Sequence, residues 1–193
     1  MKKFELTNEF ITNMFGTKLF RIRALVEFGD VEAGELGGYV EKESNLGHDD
    51  NAWVYDNAWV YGDAQVSGDA RVYGDAQVSG NALVCGDALV YDNARVYGNA
   101  LVCGDARVCG NGDYAYARGF GSVNRTTTFF RLKDGGVGVR CGCFYGTLAQ
   151  FRDKIRETHG ETKKAQEYLM LADLMELRFE EDENEVGNRK YVE

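Results

Sequence analysis

From Asn51 to Gly110 the chain repeats itself every six residues, ten times, without insertion or deletion: NAWVYD, NAWVYG, DAQVSG, DARVYG, DAQVSG, NALVCG, DALVYD, NARVYG, NALVCG, DARVCG. Valine stands at 54, 60, 66, 72, 78, 84, 90, 96, 102 and 108, with alanine two residues before each. A fixed period of this kind marks a stacked repeat. Residues two apart on a strand point the same way, so every Ala–Val pair faces one interior, small alanine at a corner and β-branched valine on a flat side. Gly or Asp in the sixth place, followed by Asn or Asp, supplies the turn, because Gly tolerates unusual φ/ψ and a side-chain oxygen can satisfy a turn amide. One six-residue unit buries nothing alone. Stacked coils about 4.8 Å apart share a core and form cooperatively.

This pattern resembles the hexapeptide repeat of left-handed β-helix proteins. The resemblance implies an all-β left-handed parallel β-helix (hexapeptide repeats), in which three units make one triangular coil of 18 residues; the C-terminal α+β extension is read from residues further on. Outward residues then fall into columns: Trp53–Arg71–Leu89–Arg107, Trp59–Gln77–Arg95 and Gln65–Leu83–Leu101 before each valine. After it come Tyr55–Tyr73–Tyr91–Cys109, Tyr61–Ser79–Tyr97 and Ser67–Cys85–Cys103. The face carrying Gln65, Ser67, Leu83, Cys85, Leu101 and Cys103 is smooth and nearly uncharged, which suits packing. With prism ends also expected to lie open, self-association as a trimer or dimer is the expectation. The corner column Asn51–Asp69–Asp87–Asp105 is explained by turn chemistry.

Three regions follow: 1–50 as N-terminal cap and first irregular coil, 51–112 as the β-helix, and 113–193 as an α+β module with hairpin, two helices and acidic tail. Val40 and Leu46 stand six apart, as an atypical first coil would have them; residues 1–15 are a cap of unassigned structure. Downstream, TTTFFRL and VGVRCGC are β-rich and joined by KDGG, a hairpin signal. Alternation turns Arg140 away from Cys141, while Cys141 and Cys143 share a face. TLAQFRDKIRETHG reads as a helix with Thr147 as N-cap, Gly160 as stop, and Leu148, Phe151 and Ile155 in one stripe. KKAQEYLMLADLMELRFE reads as a second, with Tyr168, Leu171, Met175 and Phe179 on an apolar face. Residues 181–193 are an acidic tail.

The net charge is −9, with no proline and 24 glycines, so glycine does the turning. Acidity disfavours generic nucleic-acid binding. Residues 114–160 reverse the local sign, eight Arg and Lys against three Asp and Glu. No run of 18 apolar residues and no secretory signal is readable, so a cytoplasmic address without membrane contact is expected. Five cysteines, an odd number, fit reduced thiols better than a disulfide framework.

The basic stretch holds the candidate site. RGFGSVNRTTTFFR sets glycines and hydroxyls among Arg118, Arg125 and Arg131, a composition able to cradle a phosphate or another anion. The expected ligand-binding set is Arg118, Arg125, Thr126, Thr127, Arg131 and Arg140. Arg125 ranks first, because it precedes three threonines, and Arg131 second. Trp53, Trp59, Tyr55, Tyr73 and Tyr91 form an alternative partner surface, with ladder stacking as the plain explanation of the tyrosines. Weaker candidates are His48, as a general base near the first coil, and Cys141 and Cys143 with His159. Those last three are soft metal ligands but make an incomplete set, so no metal, catalytic residue or cofactor is assigned.

The elements GELGGYV (Gly34–Val40), the repeats (Asn51–Gly110), TTTFFR (Thr126–Arg131), CGCF (Cys141–Phe144) and Glu157–Leu169 together resemble small proteins of phages and prophages of Gram-positive bacteria across most of the chain. That resemblance implies the fold and a host-cell cytoplasmic setting and carries over no catalytic residue. The expected function is that of a non-enzymatic phage-derived binding protein, which inhibits a host protein such as a defence factor or sequesters a nucleotide-like anionic ligand. The rival readings are a hexapeptide-repeat acyltransferase, although no loop interrupts the repeats and both histidines lie outside them, and a structural assembly element.

The inward and outward assignment is directly testable. Val78→Asp should place an unpaired charge in the prism and cost several kcal/mol, on the order of the whole margin of a small domain, whereas Gln77→Asp should be nearly silent. Thermal melts of the two variants should differ widely; equal melts would invert the assignment.

Overall fold

The computed structural model describes residues 1–121 and 124–180. The tail at 181–193 and Ser122 and Val123 of the glycine-rich segment lie outside the described residues. Strands β1 (Phe4–Thr12), β2 (Lys18–Ala24) and β3 (Leu36–Val40) precede ten very short ones. These are β4 to β13: Trp53–Val54, Trp59–Val60, Gln65–Val66, Arg71–Val72, Gln77–Val78, Leu83–Cys85, Leu89–Val90, Arg95–Val96, Leu101–Cys103 and Arg107–Val108. They stack as a β-solenoid of about four turns.

Parallel pairing at an offset of 18 residues builds three faces. Val54, Val72, Val90 and Val108 stand in register on one, Val60, Val78 and Val96 on the second, and Val66, Val84 and Val102 on the third. Rungs are tied by amides such as Trp53 N–H, which donates to the Ala70 carbonyl at 3.1 Å, and Tyr55 N–H, which donates to that of Val72 at 2.8 Å. Every repeat alanine and valine is at most 1% exposed. The sixth residue of each unit is the left-handed corner in all but the last: glycine takes φ near +70° there, and Asp56 and Asp92 take φ of 50° and 54°, a region Asp tolerates better than most residues.

The first coil is irregular. Val40 pairs with Val60, and Leu46 bridges to Val66, 20 residues on rather than 18; the two extra residues fall between Leu46 and Val54. Gly37 and Gly38 are required by close approach: a Cβ on Gly38 would stand 2.6 Å from the Ala58 carbonyl oxygen and 2.7 Å from a Val54 methyl.

Both ends of the prism are closed within the chain, which removes the open ends from the case for self-association. At the first end, antiparallel β1 and β2 continue the sheet of β3, giving the order β1-β2-β3-β5-β8-β11. Phe4, Ile22 and Val31 join the valine core. Trp53, expected on the outer surface, is fully buried, held edge-on by Phe28 at 5.3 Å and Phe4 at 6.2 Å; the cap hairpin covers the place where a middle coil would show solvent. Lys3 threads beneath, its ammonium donating to the carbonyls of Ala52 at 2.8 Å and Asp50 at 3.2 Å. Burial pushes its pKa down to about 8.

The far end is closed by an antiparallel sheet of β14 (Tyr114–Phe120), β15 (Arg125–Arg131), β16 (Val137–Cys141) and β17 (Phe144–Thr147), in that order. Period-two alternation divides β15 between two cores. Phe130 joins the solenoid core with Tyr114, and Thr128 Oγ1 accepts the Leu101 amide at 2.9 Å. Phe129 turns the other way, toward α1 (Leu148–His159) and α2 (Lys163–Phe179). Three layers result: solenoid end, sheet, helix pair. Thr147 caps α1 through a reciprocal box with Gln150, and Gly160 stops it at φ 57°. Leu148, Phe151 and Ile155 of α1, and Tyr168, Met175 and Phe179 of α2, are buried on the sheet.

The smooth face is shorter than the sequence suggested, because β15 and β16 lie against its Leu101–Cys103 end. In that column Cys85 and Cys103, expected as reduced thiols, form a disulfide with Cα atoms 4.6 Å apart; stacking one coil on the next brings them within bridging reach. Among the described residues no helix is long and apolar enough to cross a membrane.

Gly38→Ala should lower stability by about 1–3 kcal/mol through overpacking against backbone. Gly112→Ala, with no atom within 4 Å of the new methyl, should leave the thermal midpoint unchanged in the same assay.

Candidate functional site

Alternation in the terminal sheet separates the residues that composition had grouped. Register pairs Arg118 with Thr126, and Thr128 with both Tyr116 and Arg140. Paired side chains share a face, so Arg118, Thr126 and Arg140 stand on the solenoid side of the sheet. Arg125, Thr127 and Arg131 stand on the helix side. The expected six-residue set is therefore two half-sets on opposite faces. The segment at 114–120, to which the sequence assigned no element, is a strand: Tyr114, Tyr116 and Arg118 pair with β15 despite Gly119.

Two of the six are interior. Arg131, expected as the second ligand arginine, is 7% exposed. Its Nη2 donates to the Phe179 carbonyl at 3.1 Å and its Nη1 to that of Gly135 at 3.3 Å, while its Nε lies 3.6 Å from the Asp113 carboxylate. Asp113 in turn accepts the amides of Cys109 at 3.0 Å and Gly110 at 2.9 Å. Arg131 thus joins the last solenoid corner, the sheet and the end of α2. Thr127 is 1% exposed and donates its hydroxyl to Cys141 Sγ at 3.2 Å.

Arg125 opens onto a cavity of about 260 Å³ between the sheet edge and the helices, lined by Arg125, Cys141, Cys143, Phe144, Phe151, Lys154, Ile155, Thr158, His159 and Tyr168. Two candidates kept apart in the sequence, Arg125 and the group of Cys141, Cys143 and His159, meet here. Cys143 arrives by a different route than expected: β16 ends at Cys141, and a turn through Gly142 at φ 59° carries Cys143 to the rim. A Cβ on Gly142 would stand 2.1 Å from Arg125 Nη1, so the guanidinium rests directly over this turn and would have to shift to admit a larger residue.

The back wall is aromatic. His159 stacks on Tyr168 with ring centres 6.0 Å apart, and Phe151 meets Tyr168 edge-on at 5.8 Å. Tyr168 donates its hydroxyl to the Phe120 carbonyl at 3.4 Å. Burial first, and the neighbouring Cys141 second, push its pKa up to about 12, so the phenol stays neutral and a donor at ordinary pH. Lys154 stands at the mouth and also pairs with Glu157 at 2.8 Å, both side chains largely exposed, an ion pair of the weak kind. Among the described residues, no carboxylate lines the cavity.

Lys154, Thr158 and Tyr168 were not foreseen. Lys154 and Thr158 lie three and seven residues after Phe151, on the flank of the α1 stripe already read as buried, so helical spacing alone could have placed them beside it. Among the described residues, no three of His, Cys, Asp and Glu are placed to hold a metal ion.

The other candidates take structural places. His48 Nδ1 accepts the Lys3 amide at 3.2 Å, and its ring stacks on Phe4 at 4.5 Å. Tyr55 donates to Asp30 at 2.9 Å, and Arg71 holds the other oxygen of Asp30 at 3.0 Å. Tyr73 and Tyr91 stack at 5.2 Å, nearly parallel. Trp59 remains half-buried on the second face.

Among known families, the chain is similar to the YdcK β-solenoid repeat, whose model matches residues 64–77, 76–92, 88–104 and 94–110. All four matches fall inside the ten-unit repeat. Curated proteins give no match to the chain.

Truncating Arg131 to Ala leaves Asp113 buried without its counter-charge and should cost about 3–5 kcal/mol in urea denaturation. Arg118→Ala, at an exposed position, should stay within about 0.5 kcal/mol of the parent.

Proposed function

We propose that this chain is a non-enzymatic, phage-derived binding protein whose C-terminal module takes up a nucleotide-like anionic ligand, and that by sequestering it the protein blocks a host process such as defence signalling. The observation that carries this reading is the meeting of Arg125, Lys154 and His159 at one cavity that, among the described residues, no carboxylate lines, in a chain of net charge −9. Arg125 offers a planar fork suited to phosphate oxygens; Lys154 adds a point charge, and the Thr158 hydroxyl is a further donor. At about 260 Å³ the cavity falls just under the usual range of small-molecule pockets, about 300–1,000 Å³. It suits the phosphate-bearing part of a ligand, whose base can lie on the aromatic rim at Phe144. We take the solenoid to be of the left-handed hexapeptide type, supported by the six-residue period combined with three faces and an 18-residue register, and to be a rigid support for the module. The phage origin, and with it a host-cytoplasmic setting, rests on the shared elements from Gly34–Val40 to Glu157–Leu169.

Titration calorimetry with inorganic phosphate, ATP and a cyclic dinucleotide tests the site. Arg125→Ala should weaken binding of whichever anion is taken up by roughly 1.5–3 kcal/mol, the worth of a charged hydrogen bond. Arg125→Lys should restore only part of it. Unchanged affinity in the Ala variant, or no heat from any of the three anions, would remove this cavity from the function.

A further inference from the structure

The three thiols outside the disulfide have contrasting surroundings. Cys109 is half-buried and donates to the Asp113 carboxylate at 3.0 Å. Cys141 is half-buried too; its sulfur accepts the Thr127 hydroxyl at 3.2 Å and lies 4.0 Å from the Tyr168 hydroxyl. Cys143 is exposed. It shares the lining of the Arg125 cavity with Lys154, His159 and Cys141, and it follows the turn glycine on which the Arg125 guanidinium rests. Cys141 and Phe144, on either side of this two-residue turn, pair in register, so a hairpin rather than a loose loop carries the sulfur. Reactive thiols occur in such partly exposed, electropositive places. The anion proposed above employs Arg125 and Lys154 but has no use for a thiol at the rim.

We infer that Cys143 is a modification site, which exchanges with small anionic disulfides and is left carrying a mixed disulfide in the Arg125 cavity. The inference rests on the reading of this cavity as anion-selective, but not on a nucleotide-like ligand. The Cys143 thiol gives its proton to solvent and its sulfur attacks one sulfur of the reagent. A new S–S bond forms, the reagent's own S–S bond breaks, and the departing half leaves as a thiolate that takes up a proton. The cysteine is oxidised and the departing half reduced, so the reagent is the only oxidant needed. Charge selects it: Arg125 and Lys154 draw an anion to the rim, and the retained half keeps its carboxylates beside them. At Cys109 the Asp113 carboxylate repels the same reagent. The adduct occupies the cavity, so uptake of a free anion there stops once Cys143 is modified.

The test is incubation of the full-length chain with oxidised glutathione, an anion at neutral pH, or with cystamine, a cation, followed by intact-mass measurement and peptide mapping. Oxidised glutathione should add to Cys143 ahead of Cys109 and Cys141, and Cys143→Ser should remove the adduct. Any change in the sulfur's own reactivity affects both rates alike, so the ratio of the glutathione rate to the cystamine rate reports charge selection. It should fall at least about 10-fold in the Arg125→Ala, Lys154→Ala double variant and fall with added salt in the parent. A ratio that the double variant leaves unchanged, or adducts spread evenly over Cys109, Cys141 and Cys143, overturns the inference. Calorimetry keeps the two readings apart. Charge-selective modification in a chain that gives no heat with phosphate, ATP or a cyclic dinucleotide upholds the modification site and removes the ligand; heat with those anions beside an unselective Cys143 does the reverse.

Discussion

Everything in this molecule depends on a core only one Ala–Val pair deep per side. Burying each valine contributes about 1.5–3 kcal/mol, but a pair touches only its own coil and the coils above and below. The first and last coils have a neighbour on one side alone. Large side chains are concentrated at those two places: Phe4, Phe28 and Trp53 at one end, Tyr114 and Phe130 at the other. The aromatic residues of the caps and the small residues of the repeat are two halves of one solution, since a prism too narrow for a phenyl ring inside must be stoppered by rings outside.

The C-terminal cap differs from the N-terminal one in having a second hydrophobic face to cover. A hairpin suffices at the start, where β1 and β2 merely extend an existing sheet. At the far end β15 presents Phe130 to the solenoid and Phe129 away from it, and the helix pair answers the second. Arg131 and Asp113 cross this boundary, tying the terminal corner of the solenoid to the last turn of α2. A buried ion pair of this kind is weak evidence of stability gained but fixes one arrangement, because any other leaves a charge unpaired. The cavity at Arg125 lies at the edge of the same sheet and inherits its rigidity.

Legibility from sequence followed the range of the interactions. The three columns of the solenoid, the cap and stop of α1 at Thr147 and Gly160, and the KDGG hairpin are all set by residues within 18 positions of one another, and each was readable. Trp53 was not, because its surroundings come from Phe4 and Phe28 in a different region of the chain. Tyr114–Phe120 was missed as a strand because Gly119 within it and Gly121 just after it outweighed the alternation of Tyr114 and Tyr116. Within the site, Arg125, Cys141, Cys143 and His159 were each identifiable by residue type, but nothing local says that they meet; that follows from where α1 lands on β16. Arg131 shows the reverse case, a side chain with the right chemistry for a ligand and a fold that has already engaged it.

The period of the solenoid also makes it a ruler. Units of six are interchangeable in sequence, so gain or loss of repeats by slippage in the encoding DNA is structurally permitted, but not every step is equivalent. Three units add one full coil and move the two caps apart by about 4.8 Å with their azimuth preserved. A single unit would instead turn one cap by a third of a revolution relative to the other, carrying the cavity at Arg125 to a different side of the axis from the β1–β2 hairpin. Chains of this design can therefore change length freely in whole coils, while the relative bearing of their two ends is quantised by the triangle.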